Sequence, residues 1–151
     1  MITIREMKSY DIPQVEQLNN ISLPENYNHK YYSYHLFSWP GMSFVAEDLA
    51  KNKLVGYVLS KIDEENVTEG HITSIGVNWR YKRAGIASKL MSQCLMAMKE
   101  FYELKNCFLN VRMSNKNALA LYRDKFNFTV KMIDKKYYQD GEDGYLMEKA
   151  L

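Results

Sequence analysis

Residues 71–102 restrict the possible folds of this chain more than any other segment. The stretch opens on an apolar run, His71-Ile72-Thr73-Ser74-Ile75-Gly76-Val77, that reads as a strand. It continues into a helix over 87–102, where Ala87, Met91, Cys94, Met98 and Phe101 recur at spacings of four and three, the stripe of a helix with one face in the core. Cys107-Phe108-Leu109-Asn110-Val111 follows as a second buried strand. A strand, a helix and a strand in that order favour a parallel crossover pair. Gly76 inside the first strand suggests a bulge or a close backbone approach by a ligand. Between strand and helix lies Arg80-Tyr81-Lys82-Arg83-Ala84-Gly85-Ile86-Ala87. Amides at a helix start have no intrahelical partners, and the helix dipole favours an anion there. Gly85 and Ala87 leave room for a phosphate to touch the backbone, while Lys82 and Arg83 add charge. Taken alone, the same residues read more simply as a solvated basic turn before a surface helix, because short glycine motifs recur widely.

The flanking segments complete an α/β pattern. Ile2-Thr3-Ile4-Arg5 alternates as a first strand. Asp11 is placed to cap a helix that carries Pro13 in its first turn, runs to about Asn20 and puts Ile12, Val15 and Leu18 on one face. Pro24 biases Leu23 away from helical geometry, so Leu23-Pro24-Glu25-Asn26-Tyr27 is a loop and a second helix spans 28–37. Residues 43–47 and 54–60 form an antiparallel hairpin across Lys51-Asn52-Lys53. Later, Ser114 or Asn115 caps a helix with Ala118, Leu121 and Tyr122 inward, and Asn127 suits a left-handed residue at its end. Strands at 128–133 and 145–148 close the chain around the acidic turn Asp140-Gly141-Glu142-Asp143-Gly144. The whole reads as a single domain over 1–151.

Composition excludes several function classes. The 151 residues are 46% hydrophobic and 25% charged, enough for one domain with a real core. A net charge of +2 is too small to argue for nucleic acid, so the basic residues at 80–83 are a local feature. The 2 cysteines, Cys94 and Cys107, lie in apolar runs and read as buried free thiols rather than disulfide partners or metal ligands. No apolar run approaches a membrane span and no signal-peptide pattern opens the chain, so a soluble cytoplasmic protein is expected. Tyrosine is the outlier, with 12 copies concentrated at 27–34 and 137–145. Such rings either line a groove for a peptide or partner, or pack helices on a sheet.

Two motifs carry a resemblance to a known family. Lys82-Arg83-Ala84-Gly85-Ile86-Ala87 is similar to the Arg/Gln-x-x-Gly-x-Gly/Ala turn of the GNAT superfamily of acetyl-CoA-dependent N-acetyltransferases, with Lys82 in place of Arg or Gln. Asn115-Lys116-Asn117-Ala118-Leu119-Ala120-Leu121-Tyr122 matches the family's later Asn-x-x-Ala-x-x-Leu-Tyr pattern. Longer blocks across nearly the whole chain resemble the catalytic subunits of eukaryotic N-terminal acetyltransferase A (NatA) complexes. They include Leu23-Pro24-Glu25-Asn26-Tyr27, Ser38-Trp39-Pro40, Gly70-His71-Ile72-Thr73-Ser74 and Lys136-Tyr137-Tyr138.

The resemblance implies a GNAT fold, a mixed sheet flanked by helices whose fourth and fifth strands splay to admit a pantetheine arm. It implies acetyl-CoA as cosubstrate and no metal. Ile75, Val77, Lys82, Arg83, Ala84, Gly85, Ile86, Ala87, Ser88, Asn115 and Tyr122 would contact the coenzyme, with the amides of residues 83–88 on its pyrophosphate. Tyr122 would be the general acid toward the leaving thiolate, and Glu25 would help to deprotonate the substrate ammonium. Leu23, Pro24, Tyr27, Arg112 and Tyr138 would hold the peptide; His71 could be a second base, although a lone histidine at a strand start is more often structural. The implied activity is acetylation of nascent-chain N-termini, at Ser, Ala, Thr or Gly within a complex and at acidic residues by the isolated chain. A helical-repeat auxiliary subunit would sit on the first two helices, around 12–18 and 31–37, and bring ribosome association. The cytoplasm is the expected compartment, the nucleus a second. The competing expectations are a stand-alone acetyltransferase of the ribosomal-protein type and a non-catalytic acyl-CoA-binding subunit.

Overall fold

The computed structural model describes residues 1–82 and 84–151. In chain order these form β1 (Ile2–Glu6), a 3-10 turn (Ser9–Asp11), α1 (Ile12–Ser22), α2 (His29–Ser38), β2 (Phe44–Asp48), β3 (Lys53–Ile62) and β4 (Glu69–Val77). A second 3-10 turn (Trp79–Tyr81) leads to α3 (Ile86–Met96), β5 (Asn106–Arg112), α4 (Lys116–Ala120), β6 (Thr129–Asp134) and β7 (Gly144–Ala150). α3 and α4 run on into π-helical turns at Ala97–Phe101 and Leu121–Lys125, a local widening that a 3.6-residue repeat does not announce. Among the described residues the strands join one sheet in the order β1-β2-β3-β4-β5-β7-β6, parallel between β4 and β5 and antiparallel at the other contacts. That is the mixed sheet and crossover expected from the strand–helix–strand order.

Apolar side chains load both faces of the sheet. On one face Ile86, Leu90, Met91, Cys94 and Met98 pack with Val55, Val58 and Ile72. On the other, Ile12, Val15 and Leu18 of α1 and Tyr32 of α2 pack with Val45, Tyr57 and Leu59. The apolar stripe of α1 is thus spent inside the molecule, which corrects the expectation that 12–18 and 31–37 form a partner surface as a whole. Ile21, Tyr34 and Phe37 remain exposed on these helices.

The site originates where β4 leaves β5. Their pairing runs from Glu69 opposite Asn106 to Ile72 opposite Leu109 and stops there. Thr73 is an extra residue in β4, since Leu59 faces Ser74 while Ser60 faces Ile72. A bulge of this kind bends its strand and increases the twist. It also exchanges the two faces of β4. The Cβ position of Gly70 looks toward Met98, whereas that of Gly76, beyond the bulge, looks toward Tyr57 in the opposite layer. The reading of Gly76 is corrected accordingly. The bulge lies three residues earlier, and the close approach at Gly76 is by Tyr57, whose Cε1 is 2.8 Å from where a Cβ would stand. Asp11 differs as well. Its carboxylate turns back to the Lys8 N–H and the Arg5 guanidinium, each at 2.8 Å, instead of capping α1. Asn127 takes the left-handed conformation expected of it, with φ 61°.

Candidate active site

Two cavities meet in the gap between β4 and β5. The larger, about 750 Å³, opens between the α1–α2 loop and the β6–β7 loop. The smaller, about 590 Å³, runs past the end of β4 to the start of α3. Ser22, Leu23, Ile75, Asn115 and Tyr122 line both.

The smaller cavity ends on a helix start. Gly85 is the N-cap of the 11-residue helix α3, with φ 74°, a left-handed geometry that only glycine adopts without cost. The first helical bond is Lys89 N–H to the Gly85 carbonyl at 3.1 Å. The N–H groups of Gly85, Ile86, Ala87 and Ser88 therefore have no helical acceptor, and all four residues line the cavity, together with Val77 and Lys82. These groups fit a pyrophosphate. Ala84 does not belong with them: its N–H turns to the Tyr81 carbonyl at 3.4 Å, which corrects its place in the expected cradle. Arg83 lies outside the described residues. Along residues 73–77, β4 has lost its pairing with β5. Peptide groups on that side are open to an extended ligand, as at any unpaired strand edge.

Tyr122 stands between the cavities, carried by the π-helical turn of α4. Its ring packs near Phe128 with centroids 6.1 Å apart. Burial alone raises its phenol well above the ordinary range, so it stays protonated at neutral pH. Asn115 faces both cavities, but its Oδ1 accepts the Ala118 N–H at 3.2 Å to cap α4, which leaves its amide NH2 for a ligand.

The outer wall of the larger cavity is organised by Arg112. Its Nε donates to Glu25 Oε1 at 3.0 Å and its Nη2 reaches the same oxygen. Its Nη1 donates to Asp140 and Glu142 at 2.8 Å each, and the guanidinium lies 4.2 Å from the Tyr138 ring centroid. One cation so joins the loop after α1 to the loop before β7. Glu142 also accepts the Ser114 N–H at 2.8 Å; the Ser114 contact and then Arg112 hold its carboxyl below the ordinary range. The sequence identified Glu25 and Arg112 but marked Asp140 and Glu142 only as turn residues. Tyr27 stacks on Tyr31 at 4.5 Å, and these rings wall the cavity with Leu23, Pro24, Tyr137 and Tyr138. Tyrosine both walls the cavity and packs the core, where Tyr32 and Tyr57 lie fully buried.

His71 stacks on Phe108 at 4.3 Å, and burial lowers its pKa to about 4. The ring is therefore neutral at pH 7 and forms part of the cavity wall. Two polar residues at the site escape the sequence reading. Ser22 lines both cavities, and its buried Oγ has no hydrogen-bond partner among the described residues. Asn19 is fully buried on the inner face of α1. The signal for Asn19 was present, because a polar residue interrupts the stripe of Ile12, Val15 and Leu18. Among the described residues no group of three or more His, Cys, Asp or Glu side chains gathers as a metal site.

Comparison with known proteins agrees with this geometry. Residues 12–128 match the Acetyltransferase (GNAT) family. The N-terminal acetyltransferase A complex catalytic subunit ard1 of Schizosaccharomyces pombe is 47% identical over 149 residues, which span 97% of this chain and 84% of the relative. Among solved structures, Ard1 from Thermoplasma volcanium is similar with a TM-score of 0.89 at 27% identity, over 99% of this chain and 97% of that one. A chain of the NatC complex bound to Gag peptide and CoA gives a TM-score of 0.91 at 25% identity, over 99% and 98%.

Proposed function

The chain belongs to the acetyltransferase (GNAT) family, and from that premise we propose that it acetylates the N-terminal α-amine of polypeptides as the catalytic subunit of a NatA-type complex. The observation that carries this reading is the meeting of two cavities at Tyr122, one ending on free helix-start amides and the other walled by tyrosines around Glu25 and Arg112. Acetyl-CoA supplies the activated acetyl group. The amides of residues 85–88 hold its pyrophosphate, and the open edge of β4 beside Ile75 and Val77 orients the arm. Glu25, fixed by Arg112, accepts a hydrogen bond from the substrate amine and takes up its proton, directly or through water. The amine nitrogen then bonds to the acetyl carbon as the carbon–sulfur bond breaks. Tyr122, protonated at neutral pH, donates its proton to the leaving sulfur; the newly bonded nitrogen sheds its extra proton to solvent, and solvent reprotonates Tyr122. The presence of Tyr122 at the junction and of Glu25 in the larger cavity favours an enzyme over a non-catalytic acyl-CoA-binding subunit.

The same reading extends to specificity, partner and place. With a helical-repeat auxiliary subunit the enzyme acts on Ser, Ala, Thr and Gly N-termini of nascent chains, in the cytoplasm and at the ribosome. The isolated chain prefers Asp or Glu, because without the partner the 23–27 loop also samples a relaxed state that withdraws Glu25 from Arg112, and an acidic first residue supplies the missing carboxylate. Partner binding selects between two loop states through its differential affinity for them. The test is thiol release from acetyl-CoA with short peptides, with and without the auxiliary subunit. Preference for acidic first residues alone, reversed by the subunit, is expected. Strong Ser or Ala preference by the isolated chain refutes the switch, and absence of peptide-dependent thiol release in the complex refutes the activity.

A further inference from the structure

We propose that Asn19 is a positioning residue for acetyl transfer, one that sets the Glu25 loop against the bulged strand β4. The proposal rests on the role given to Glu25 above. The Asn19 side chain is fully buried, and its amide is saturated. Nδ2 donates to the Glu25 carbonyl at 2.9 Å and to the Tyr57 hydroxyl at 3.1 Å. Oδ1 accepts the Tyr27 N–H at 3.2 Å and the Asn26 amide at 3.4 Å. Both hydrogens and both lone pairs are in use. Contacts to the carbonyl of Glu25 and the N–H of Tyr27 are those that a neighbouring peptide group would offer. One side chain therefore stands in for a strand partner to the loop.

The network continues into the sheet. The Tyr57 hydroxyl accepts from Asn19 and shares a hydrogen bond with Ser74 Oγ at 2.7 Å. Ser74 directly follows the bulge residue Thr73 and lines the larger cavity. The Tyr57 ring fills the space beside Gly76 on the same strand. Glu25 is thus held twice, its backbone by Asn19 and its carboxylate by Arg112. Through Tyr57, the strand that faces the coenzyme is referred to the same amide. An apolar residue would fill the inner face of α1 without the cost of burying an amide. What the amide adds is a fixed distance between the carboxylate that receives the substrate amine and the strand beside the thioester.

The experiment measures kcat, KM for acetyl-CoA and peptide, and melting temperature for Asn19→Ala, Glu25→Gln and the double variant of the full chain in complex with its auxiliary subunit, the state in which Glu25 acts, with a peptide that starts with Ser. Asn19→Ala is expected to lower kcat by about a hundredfold, the effect of a misplacement near 1 Å. KM for acetyl-CoA should stay within about twofold, because the helix-start cradle is untouched. In the Glu25→Gln background the Asn19 substitution should add little, since the group it positions is gone. If Asn19→Ala does not fold, Tyr57→Phe takes its place. That variant keeps the ring, removes only the hydroxyl relay, and should lower kcat with the same non-additivity. Fully multiplicative losses, or wild-type kcat in the folded single variant beside a crippled Glu25→Gln, overturn the positioning role alone. Wild-type activity in Glu25→Gln removes the underlying reading of Glu25 instead.

Discussion

Gly85→Val separates folding from coenzyme binding, because the structure assigns the two effects to different causes. No atom lies within 4 Å of a Cβ built on Gly85, so the new side chain meets no clash. The cost is conformational. With φ at 74°, a residue bearing a Cβ is disfavoured by about 1–2 kcal/mol. In a chain of this length that lowers the melting temperature by about 2–8 °C, and the fold survives. Coenzyme binding responds more strongly. Valine relieves its strain by rotating φ out of the left-handed region, and the rotation turns the peptide groups at the start of α3 away from their common focus. A hydrogen bond to a charged group contributes about 1.5–3 kcal/mol. Loss of one such amide therefore weakens CoA binding by about ten- to a hundredfold. Calorimetric titration of CoA into both proteins, beside their melting curves, reads the two effects separately. Gly85→Ala carries the same φ penalty and should weaken binding in the same direction. Unchanged CoA affinity in a folded Gly85→Val protein refutes the placement of the pyrophosphate on this helix start.

Three further outcomes are expected. Tyr122→Phe should keep the wild-type melting temperature, since only burial acts on this phenol. It should lower kcat by about ten- to a thousandfold with little change in peptide KM, and wild-type rates would leave Tyr122 as a packing ring. Burial lowers His35 and His71 from the ordinary histidine value of 6.5 to about 4, so below pH 6.5 the unfolded chain binds more protons than the folded one. Their contribution is complete above that pH and lost as pH falls toward 4. Melting temperature should drop between pH 7 and pH 5 and drop less in His35→Gln; a curve of equal steepness in that variant contradicts the assignment. Finally, with Phe37 86% and Ile21 64% exposed, the pair Ile21→Asp and Phe37→Asp should abolish co-purification with a helical-repeat auxiliary subunit while leaving the melting temperature unchanged. Intact co-purification places the partner elsewhere.

Signals within a few residues of each other were legible in the sequence. The stripe of α3, the glycine before it, the cap at Asn115 and the left-handed Asn127 follow from helix periodicity, termini and backbone sterics, energies that act over one or two turns. The parallel pairing of β4 and β5 was legible too, because crossover chirality and connection length leave few alternatives. The bulge was not. Whether Thr73 or Gly76 is the extra residue is decided by β3, which pairs on both sides of it, and by the buried His35 of α2, whose Nε2 accepts from the Thr73 hydroxyl at 2.9 Å. The same holds for Arg112, whose partners Glu25, Asp140 and Glu142 lie 87, 28 and 30 residues away. The sequence alone determined that a helix start opened by glycine follows a strand. Only the tertiary structure decided which carboxylates, which amide and which phenol gather along the gap in the sheet, because those contacts depend on the register between strands and on the angle at which β4 leaves its neighbour.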